Sequence, residues 1–151
     1  MVKQLGEIFD PRSIKLDFNG KTKETVLTEL VDSIAAFHPE CGKAELFDAV
    51  MAREKKMSTG IGNGIAIPHV FYGGITGMDG ALGVIKQGID YGALDDKPVH
   101  VIFLLVINRQ AEEYHLRILN LISKLTESGE IALIRTAKSV EEIHAILCRI
   151  H

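Results

Sequence analysis

The stretch from Val99 to Val106 constrains the fold of this chain more than any other part of the sequence. Its residues are apolar except for His100, so it lacks the alternation of apolar and polar residues that marks a strand with one solvent-exposed face. A strand of this kind is expected where both faces of a sheet are covered. Even when extended to Ile107, the run is far shorter than the roughly 20 apolar residues of a membrane-spanning helix. The sequence therefore predicts a central strand between two layers, and no membrane insertion.

Extended and helical patterns surround this central strand. Extended patterns occupy three further segments: Ser13–Phe18, Ile65–Phe71 and Ala81–Lys86. Apolar residues recur at helical spacing in five segments: about Thr22–Phe37, Lys43–Lys55, Glu112–Glu127, Glu130–Ala137 and Val140–Cys148. Pro68 cannot donate a hydrogen bond to a neighbouring strand, so its segment is expected at an edge of the sheet or to end there. The pattern predicts an α/β fold, a single domain with a mixed β-sheet flanked by helices on its faces.

Length and composition favour one domain spanning residues 1–151. The 46% of hydrophobic and 25% of charged residues are the balance of an ordinary globular protein. The 20 acidic and 17 basic residues leave a net charge of −3 without a basic stripe, which argues against nucleic acid as a partner. Cys41 and Cys148 lie far apart and in no metal-binding spacing, and the N-terminus has no signal-peptide core. A cytoplasmic protein with reduced thiols is expected.

The most unusual segment is the glycine-rich run from Ser58 to His69, which reads Ser-Thr-Gly-Ile-Gly-Asn-Gly-Ile-Ala-Ile-Pro-His. It matches neither Gly-x-x-x-x-Gly-Lys nor Gly-x-Gly-x-x-Gly. It also follows a helix and leads into a strand, whereas dinucleotide-binding loops follow a strand and open a helix. A nucleotide site is therefore disfavoured. A helix stop followed by a flexible connector accounts for the glycines without any function.

Three side chains have the chemistry of a group-transfer site, and each also has a purely structural interpretation. His69 follows a proline near a strand end, where an imidazole beside glycine N–H groups can act as a nucleophile; a half-buried structural histidine is the simpler interpretation. His115 lies on an apolar helical stripe near the helix N-terminus, which favours a neutral ring that donates to an anion, or a core histidine bonded to a carbonyl. Arg53 continues an apolar helical stripe, and its guanidinium suits phosphate oxygens, although the dipole at a helix C-terminus also attracts arginine.

Two further groups of residues have weaker signals. The hydroxyls of Ser58 and Thr59 either donate to a ligand or only shape the turn. The C-terminal helix carries four residues on one face that a soft metal would accept: Glu141, His144, Cys148 and His151. A fraying chain end and the lack of supporting side chains argue against that site. The sequence assigns no metal site.

Taken together, these residues resemble the enzyme IIA family of the bacterial phosphoenolpyruvate-dependent sugar phosphotransferase system, of the fructose/mannitol and nitrogen-regulatory type. The most specific piece is the run from Ser58 to His69. Arg53-Glu54 upstream, Gly88-Ile89-Asp90-Tyr91 in the middle and His115-Leu116-x-x-Leu119 downstream support it. The resemblance covers most of the chain. After the central strand the family often has a proline-containing loop, where this chain has Ile107-Asn-Arg-Gln-Ala, a segment that could border the partner face.

The resemblance implies a phosphocarrier in which His69 accepts a phosphoryl group from a phosphohistidine on the small carrier HPr or its nitrogen-branch relative. It implies that His115 donates hydrogen bonds to the phosphoryl oxygens and that Arg53 is a mobile counter-charge. The phosphoryl group comes from phosphoenolpyruvate through enzyme I, and no metal, nucleotide or other cofactor is implied. Six residues of the run are expected to support the phosphoryl group or the approaching partner: Ser58, Thr59, Gly60, Gly62, Gly64 and Pro68.

The resemblance leaves the branch open. The nitrogen-regulatory type, which modulates other proteins according to its phosphorylation state, is favoured, because the length of the chain and its Ser-Thr-Gly-Ile-Gly-Asn-Gly run look more like that type. The chain also shows no IIB motif and no membrane IIC segment. The alternative is a fructose/mannitol component that passes the phosphoryl group to a cysteine of a IIB protein for sugar uptake. Two interpretations of other classes remain: a docking-only module without phosphoryl transfer, and a metal-dependent hydrolase using His69 and His115 with Asp95 or Asp96. The hydrolase lacks any His-x-His or His-Glu-x-x-His spacing.

Overall fold

The computed structural model describes residues 4–150, and within them six strands form one mixed sheet. The strands are β1 (Ile14–Lys15), β2 (Gly60–Gly62), β3 (Ile65–Ala66), β4 (His69–Phe71), β5 (Met78–Ile89) and β6 (Val99–Ile107). Their order across the sheet is β1-β5-β6-β3-β2, and β4 also pairs with β6. The long β5 and β6 are antiparallel at the centre, whereas β1 is parallel to β5, and β3 and β4 are parallel to β6.

Helices cover both faces of this sheet. They are α1 (Leu5–Ile8), α2 (Lys23–Ala35), α3 (Lys43–Lys56), α4 (Glu112–Glu127), α5 (Glu130–Thr136) and α6 (Val140–Cys148), with short 3-10 turns at Pro11–Ser13 and Arg109–Ala111. Apolar side chains of α2 and α3 form one core with one face of the sheet. Those of α1, α4, α5 and α6 form a second core with the other face. The predicted α/β fold with helices on both faces is confirmed.

Strand β6 supplies side chains to both cores, which explains its uninterrupted apolar sequence. Phe103 and Leu105 belong to the core on the α4 side, and Ile102 and Leu104 to the core on the α2 side; all four are 0% exposed. Complete burial of a side chain of this size stabilises the fold by about 1.5–3 kcal/mol. Between residues 4 and 150, no helix combines the length and the apolar character needed to cross a membrane.

Two strands differ in length from the sequence prediction. The one expected at Ser13–Phe18 is reduced to the two residues of β1, because a 3-10 turn ends directly before it and the chain then leaves the sheet. Beyond β1 the Phe18 ring covers Gly83, where a Cβ would lie 2.6 Å from the ring Cζ. The strand expected at Ala81–Lys86 is longer at both ends, since β5 pairs along the length of β6.

The extended segment predicted at Ile65–Phe71 keeps a single register along β6 but is divided at Pro68. Its first residue pairs with Val101, and its last pairs at the same offset with Ile107. The division arises because Pro68 has no N–H, although its carbonyl still accepts a hydrogen bond (2.8 Å) from the backbone of β6. Among the described strands, β6 is the neighbour of β4. His69, the first residue of β4, therefore stands at an edge of the sheet, as the proline predicted.

Candidate functional site

The glycine-rich run folds into a hairpin, not into the flexible connector that the sequence also allowed. β2 and β3 are its strands, and the turn residues Gly62, Asn63 and Gly64 have φ angles of 97°, 58° and 79°. These left-handed angles are unfavourable for residues with a Cβ, and asparagine tolerates them better than most. Gly60 is needed for a different reason, because a Cβ there would lie 2.7 Å from the Cβ of Ala93. The glycine spacing therefore specifies a tight local fold.

The turn of this hairpin lies far from His69. The carbonyl of Gly64 accepts a hydrogen bond from the backbone N–H of His100, whereas His69 pairs with Leu105, five residues further along β6. Five residues of strand span roughly 16 Å. Gly62 and Gly64 shape the turn of the hairpin. At that distance neither can contact a phosphoryl group carried by His69 of the same chain.

The carboxylate of the hydrolase alternative lies at the same distant end. Asp95 accepts hydrogen bonds from the backbone N–H groups of Asn63 (3.2 Å) and Lys97 (3.1 Å). These two bonds lower the pKa of Asp95 and fix its side chain beside the hairpin turn. Because the turn is separated from His69 by most of the length of β3 and β4, the structure gives no support to a metal-dependent hydrolase built from His69 and Asp95.

Ser58, Thr59 and Pro68 lie at the opposite end of the hairpin, next to His69. The N–H of Ile67 donates to the carbonyl of Thr59 (3.0 Å), which holds the chain before Pro68 against the start of β2. Ser58 Oγ accepts a hydrogen bond (3.1 Å) from the backbone N–H two residues later. The Thr59 hydroxyl is bonded within a buried network described below. Both hydroxyls thus shape the turn in this structure, and support of a phosphoryl group by them stays a prediction.

His69 presents two ring nitrogens in different situations. Its Nδ1 lies 2.9 Å from the carbonyl oxygen of Ile67, and the side chain is half-buried. Because a carbonyl oxygen only accepts hydrogen bonds, Nδ1 carries the hydrogen, and in the neutral ring Nε2 carries the lone pair. The hydrogen bond to the Ile67 carbonyl therefore fixes the His69 ring in one tautomer. The nitrogen with the lone pair, Nε2, lies on the side of the ring away from that carbonyl.

His115 reaches the same face of the sheet from α4. The side chains of His69 and Phe71 share a face of β4, and the Phe71 ring meets the His115 ring nearly at a right angle, with centroids 5.5 Å apart. Nδ1 of His115 lies 2.6 Å from the carbonyl oxygen of Glu112, so it also carries its hydrogen there. A neutral ring in this geometry has its lone pair on Nε2, and donation by His115 to the phosphoryl oxygens stays a prediction. From Nε2 this ring donates only when it is doubly protonated.

Arg53 lies near the end of α3 but outside the buried stripe of that helix. The buried positions are Leu46, Val50 and Glu54, spaced by four residues, so the sequence analysis placed the stripe one residue too early. The Arg53 side chain is partly exposed, and its Nη1 donates to the carbonyl of Met57 (2.9 Å) at the helix end. To act as a counter-charge for His69, the Arg53 guanidinium must break its hydrogen bond to the Met57 carbonyl. This role of Arg53 stays a prediction.

Glu54 belongs to a buried polar network that the sequence analysis missed. Its carboxylate accepts hydrogen bonds from Lys23 Nζ (2.8 Å), from the N–H of Thr59 (3.3 Å) and from the Thr59 hydroxyl. The Thr59 oxygen also lies 3.0 Å from the Tyr91 hydroxyl. Lys23 Nζ donates to the Tyr91 carbonyl (3.1 Å) and stands 4.2 Å from the centre of its ring. The network joins α2, α3 and the hairpin. Its one signal in the sequence was that Glu54 follows the apolar Val50 by four residues, which places both on the same side of the helix.

This network predicts how stability depends on alkaline pH. Burial raises the pKa of the Tyr91 hydroxyl, and the neighbouring Glu54 carboxylate raises it further. An unfolded tyrosine ionises near pH ~10, so above that pH the unfolded state loses a proton that the folded state keeps. The free energy of unfolding is therefore expected to fall as the pH rises past about 10, and less steeply in Tyr91→Phe. Urea unfolding of both proteins at several alkaline pH values measures the slopes; equal slopes would contradict the argument.

Arg109 is a second arginine at the site, and the sequence analysis did not single it out. It lies on the 3-10 turn after β6, and its guanidinium carbon is 4.2 Å from the centre of the Phe71 ring. Its Nη1 is 3.5 Å from Glu112 Oε1, and its side chain is 71% exposed. The one signal in the sequence was the departure of this loop from the proline-containing loop of the family.

The face of the C-terminal helix that the sequence offered as a metal site contacts the N-terminal segment, as far as its residues are described. His144 Nε2 donates to the carbonyl of Gly6 (2.8 Å), which ties α6 to the N-terminal segment. The Sγ of Cys148 lies 3.8 Å from the same ring, and His151 lies outside the described residues. Within residues 4–150, no group of three or more His, Cys, Asp or Glu side chains is arranged to hold a metal ion.

Solved structures of other proteins identify the class to which this fold belongs. The crystal structure of the nitrogen regulatory protein IIA-Ntr from Neisseria meningitidis matches with a TM-score of 0.86 and 33% sequence identity, covering 94% of this chain and 97% of that chain. The fold is therefore that of a IIA protein. The family model described as "Phosphoenolpyruvate-dependent sugar phosphotransferase system, EIIA 2" matches residues 7–149. This chain belongs to that family, and the resemblance recognised in the sequence motifs is confirmed.

Relatives in the family include both regulatory and sugar-specific proteins. The nitrogen regulatory protein of Pseudomonas aeruginosa is 32% identical over 145 residues, which are 95% of this chain and 94% of that protein. The fructose-specific EIIABC component of Bacillus subtilis is 34% identical over 128 residues, which are 85% of this chain but 20% of that protein. The matched region of the family model includes His69, His115 and Arg53.

Proposed function

We propose that this chain is a phosphocarrier that takes a phosphoryl group onto Nε2 of His69 from the phosphohistidine of HPr or of its nitrogen-branch relative. The observation that carries the proposal is the hydrogen bond from His69 Nδ1 to the carbonyl of Ile67. This bond leaves the lone pair on Nε2, at an edge of the sheet that a protein donor can approach. No metal ion or nucleotide takes part.

The transfer is a displacement at phosphorus. The lone pair of His69 Nε2 forms the new P–N bond while the P–N bond in the donor breaks, and its electron pair returns to the ring nitrogen of the donor. Positioning and charge stabilisation supply most of the catalysis in such transfers. As His69 gains positive character, its Nδ1–H bond to the Ile67 carbonyl becomes stronger, since hydrogen bonds of charged groups are stronger than neutral ones. His115, Arg53 and the hairpin backbone at Gly60 are assigned to support of the phosphoryl group and of the incoming protein.

The surroundings of His69 suit a protein partner better than a small substrate. Met57, next to Ser58, is 63% exposed, and Leu116, next to His115, is 64% exposed. Exposed apolar side chains of this size, next in sequence to residues assigned to the site, are what a protein-docking surface would use. Donor and acceptor proteins would use this surface in turn, because both must bring a reactive side chain to the same nitrogen.

The regulatory branch of the system is favoured for the downstream step. The regulatory relative from Pseudomonas aeruginosa is 32% identical over 145 residues, and the IIA-Ntr structure from Neisseria meningitidis matches with a TM-score of 0.86 and 33% identity. In the regulatory branch, the phosphorylation state of His69 changes the interaction with a target protein. The alternative is transfer to a cysteine of a IIB protein in fructose or mannitol uptake.

Phosphorylation of the purified protein tests this proposal. The chain is incubated with phosphoenolpyruvate, enzyme I and either HPr or its nitrogen-branch relative, and the intact mass is measured. We expect one added phosphoryl group that is labile in acid and stable in alkali, as a phosphohistidine is. No uptake from either donor would reject the phosphocarrier and favour a docking-only module that keeps the family fold.

Replacing His115 with alanine is expected to slow the transfer, because this ring lies on the face of the sheet that carries His69 and is assigned to the phosphoryl oxygens. Its Nδ1 is bonded to the Glu112 carbonyl, so Nε2 is the ring nitrogen that remains for the phosphoryl group. The variant His115→Ala is expected to be about tenfold slower, the effect of losing one charged hydrogen bond. Initial rates of phosphorylation of the wild type and the variant measure the difference, and equal rates would refute this role.

A further inference from the structure

The Phe71 ring is in contact with the positive charge of Arg109, a residue that is not part of the family motif. His69 and Phe71 are two residues apart in β4, so their side chains lie on the same face and their Cα atoms are roughly 7 Å apart. The Phe71 ring contacts His115 at its edge and carries the guanidinium of Arg109 at 4.2 Å. The ring is thus the common neighbour of His115 and Arg109, two residues along β4 from the histidine that is proposed to carry the phosphoryl group.

We propose that Arg109 binds the phosphoryl oxygens of phosphorylated His69, so that it is a second cationic phosphoryl ligand. The inference rests on the proposed phosphocarrier function and adds a residue to it. The phosphohistidine brings a charge of about −2 to the start of β4, and an arginine fork is the side chain best suited to two of its oxygens. The guanidinium is already stacked on Phe71, which shares the face of β4 with His69.

The present partner of Arg109 is weak enough to be exchanged. Its Nη1 is 3.5 Å from Glu112 Oε1, and the two side chains are 71% and 52% exposed. Ion pairs between side chains this exposed contribute little to stability, commonly less than about 1 kcal/mol. A phosphoryl dianion therefore competes successfully with one exposed carboxylate. Arg53, in contrast, is bonded to the carbonyl of Met57 at the end of a helix on the other face of the sheet.

The chain contains a matched control for this residue. Arg12 lies 4.3 Å over the ring of Phe37, pairs with Asp10 at 3.0 Å, and is 70% exposed. Arg12 and Arg109 therefore have the same ring contact, a carboxylate partner and the same exposure. They differ in location, because Arg12 lies on the turn before β1, and β1 is separated from β4 by β5 and β6.

The test compares wild type, Arg109→Ala, Arg109→Lys and Arg12→Ala in the phosphoryl-transfer equilibrium with the donor protein. Each is mixed with phosphorylated HPr at low ionic strength, and the final ratio of the two phosphorylated proteins is read from intact mass. We expect the equilibrium to shift about fivefold toward phospho-HPr in Arg109→Ala, with partial recovery in Arg109→Lys and no shift in Arg12→Ala. Added salt should reduce the difference, because it screens exposed charges.

A second measurement follows the guanidinium directly. Phosphorylation of His69 should move the side-chain N–H signals of Arg109 in a ¹⁵N NMR spectrum and leave those of Arg12 in place. An unchanged equilibrium in Arg109→Ala, or a slower rate with an unchanged equilibrium, would overturn the inference, since the latter is the signature of partner docking alone. A wild-type protein that takes no phosphoryl group would instead reject the proposed function and, with it, this inference.

Discussion

Replacing His69 with alanine is expected to reduce phosphoryl uptake to below detection while the protein stays folded. The substitution removes the Nε2 lone pair that forms the P–N bond. The imidazole is half-buried at the edge of the sheet, so its loss removes one hydrogen bond to the Ile67 carbonyl and costs about 1 kcal/mol of stability. Intact mass after incubation with phosphoenolpyruvate, enzyme I and HPr measures uptake, and circular dichroism with urea unfolding measures the fold.

His100 provides the control for this experiment. Its Nδ1 lies 3.0 Å from the carbonyl of Ile85, and its ring is half-buried, as the ring of His69 is. It lies at the other end of β3 and β4, beside the hairpin turn. His100→Ala should therefore be phosphorylated like the wild type. Uptake by His69→Ala at the wild-type rate would mean that another residue is the acceptor, and loss of uptake in both variants would point to a general effect on the fold.

The largest expected effect on stability comes from Lys23→Met. The Glu54 side chain is 2% exposed, and Lys23 is the cation that pairs with it. In the variant, the buried Glu54 carboxylate has lost its charged partner, and its remaining hydrogen-bond donors are the neutral N–H and hydroxyl of Thr59. Breaking a buried pair by removing one partner costs about 3 kcal/mol or more, because the remaining charge is left uncompensated. For a chain of this length, that lowers the melting temperature by roughly 6–12 °C.

Lys43→Met is the matched control for Lys23→Met. Lys23 and Lys43 are the first residues of α2 and α3, so the helix dipole acts on both in the same way. Lys43 pairs with Asp32 at 3.8 Å, and these side chains are 64% and 49% exposed. The control should lose less than about 1 kcal/mol. If thermal unfolding shows equal losses in both variants, the buried network does not stabilise the fold in the way argued here.

The layers of the fold could be predicted because hydrophobic patterning is local. The run Val99–Val106 has to be covered on both faces, and each helix carries its apolar residues at regular spacing, so the sequence implies helices on both sides of a sheet. The strand at Ser13–Phe18 shows the limit of this reasoning. Its alternation is that of a strand, yet the chain leaves the sheet after two residues, and the Phe18 ring then packs over Gly83. A contact between residues so far apart has no local signal.

The candidate site could be predicted in part. His69, His115 and Arg53 were identified from residue type, spacing and family resemblance. The placement of Arg53 on the buried stripe was wrong by one position, since Glu54 points inward and is satisfied by Lys23. For His115 the sequence allowed a bond to a backbone carbonyl, but which carbonyl and which ring nitrogen take part depends on the folded helix.

What the sequence by itself determined is the family and the layered sheet, and it also predicts His69 as the reactive histidine. These follow from apolar periodicity, from the proline before His69 and from a long motif, all of which are properties of neighbouring residues. Only the tertiary structure decided which nitrogen of His69 is free and that Arg109 stacks on Phe71, two residues along β4 from His69. The physical reason is that hydrogen bonds and ring contacts of this kind depend on the directions of side chains, which are set once the sheet has joined distant parts of the chain.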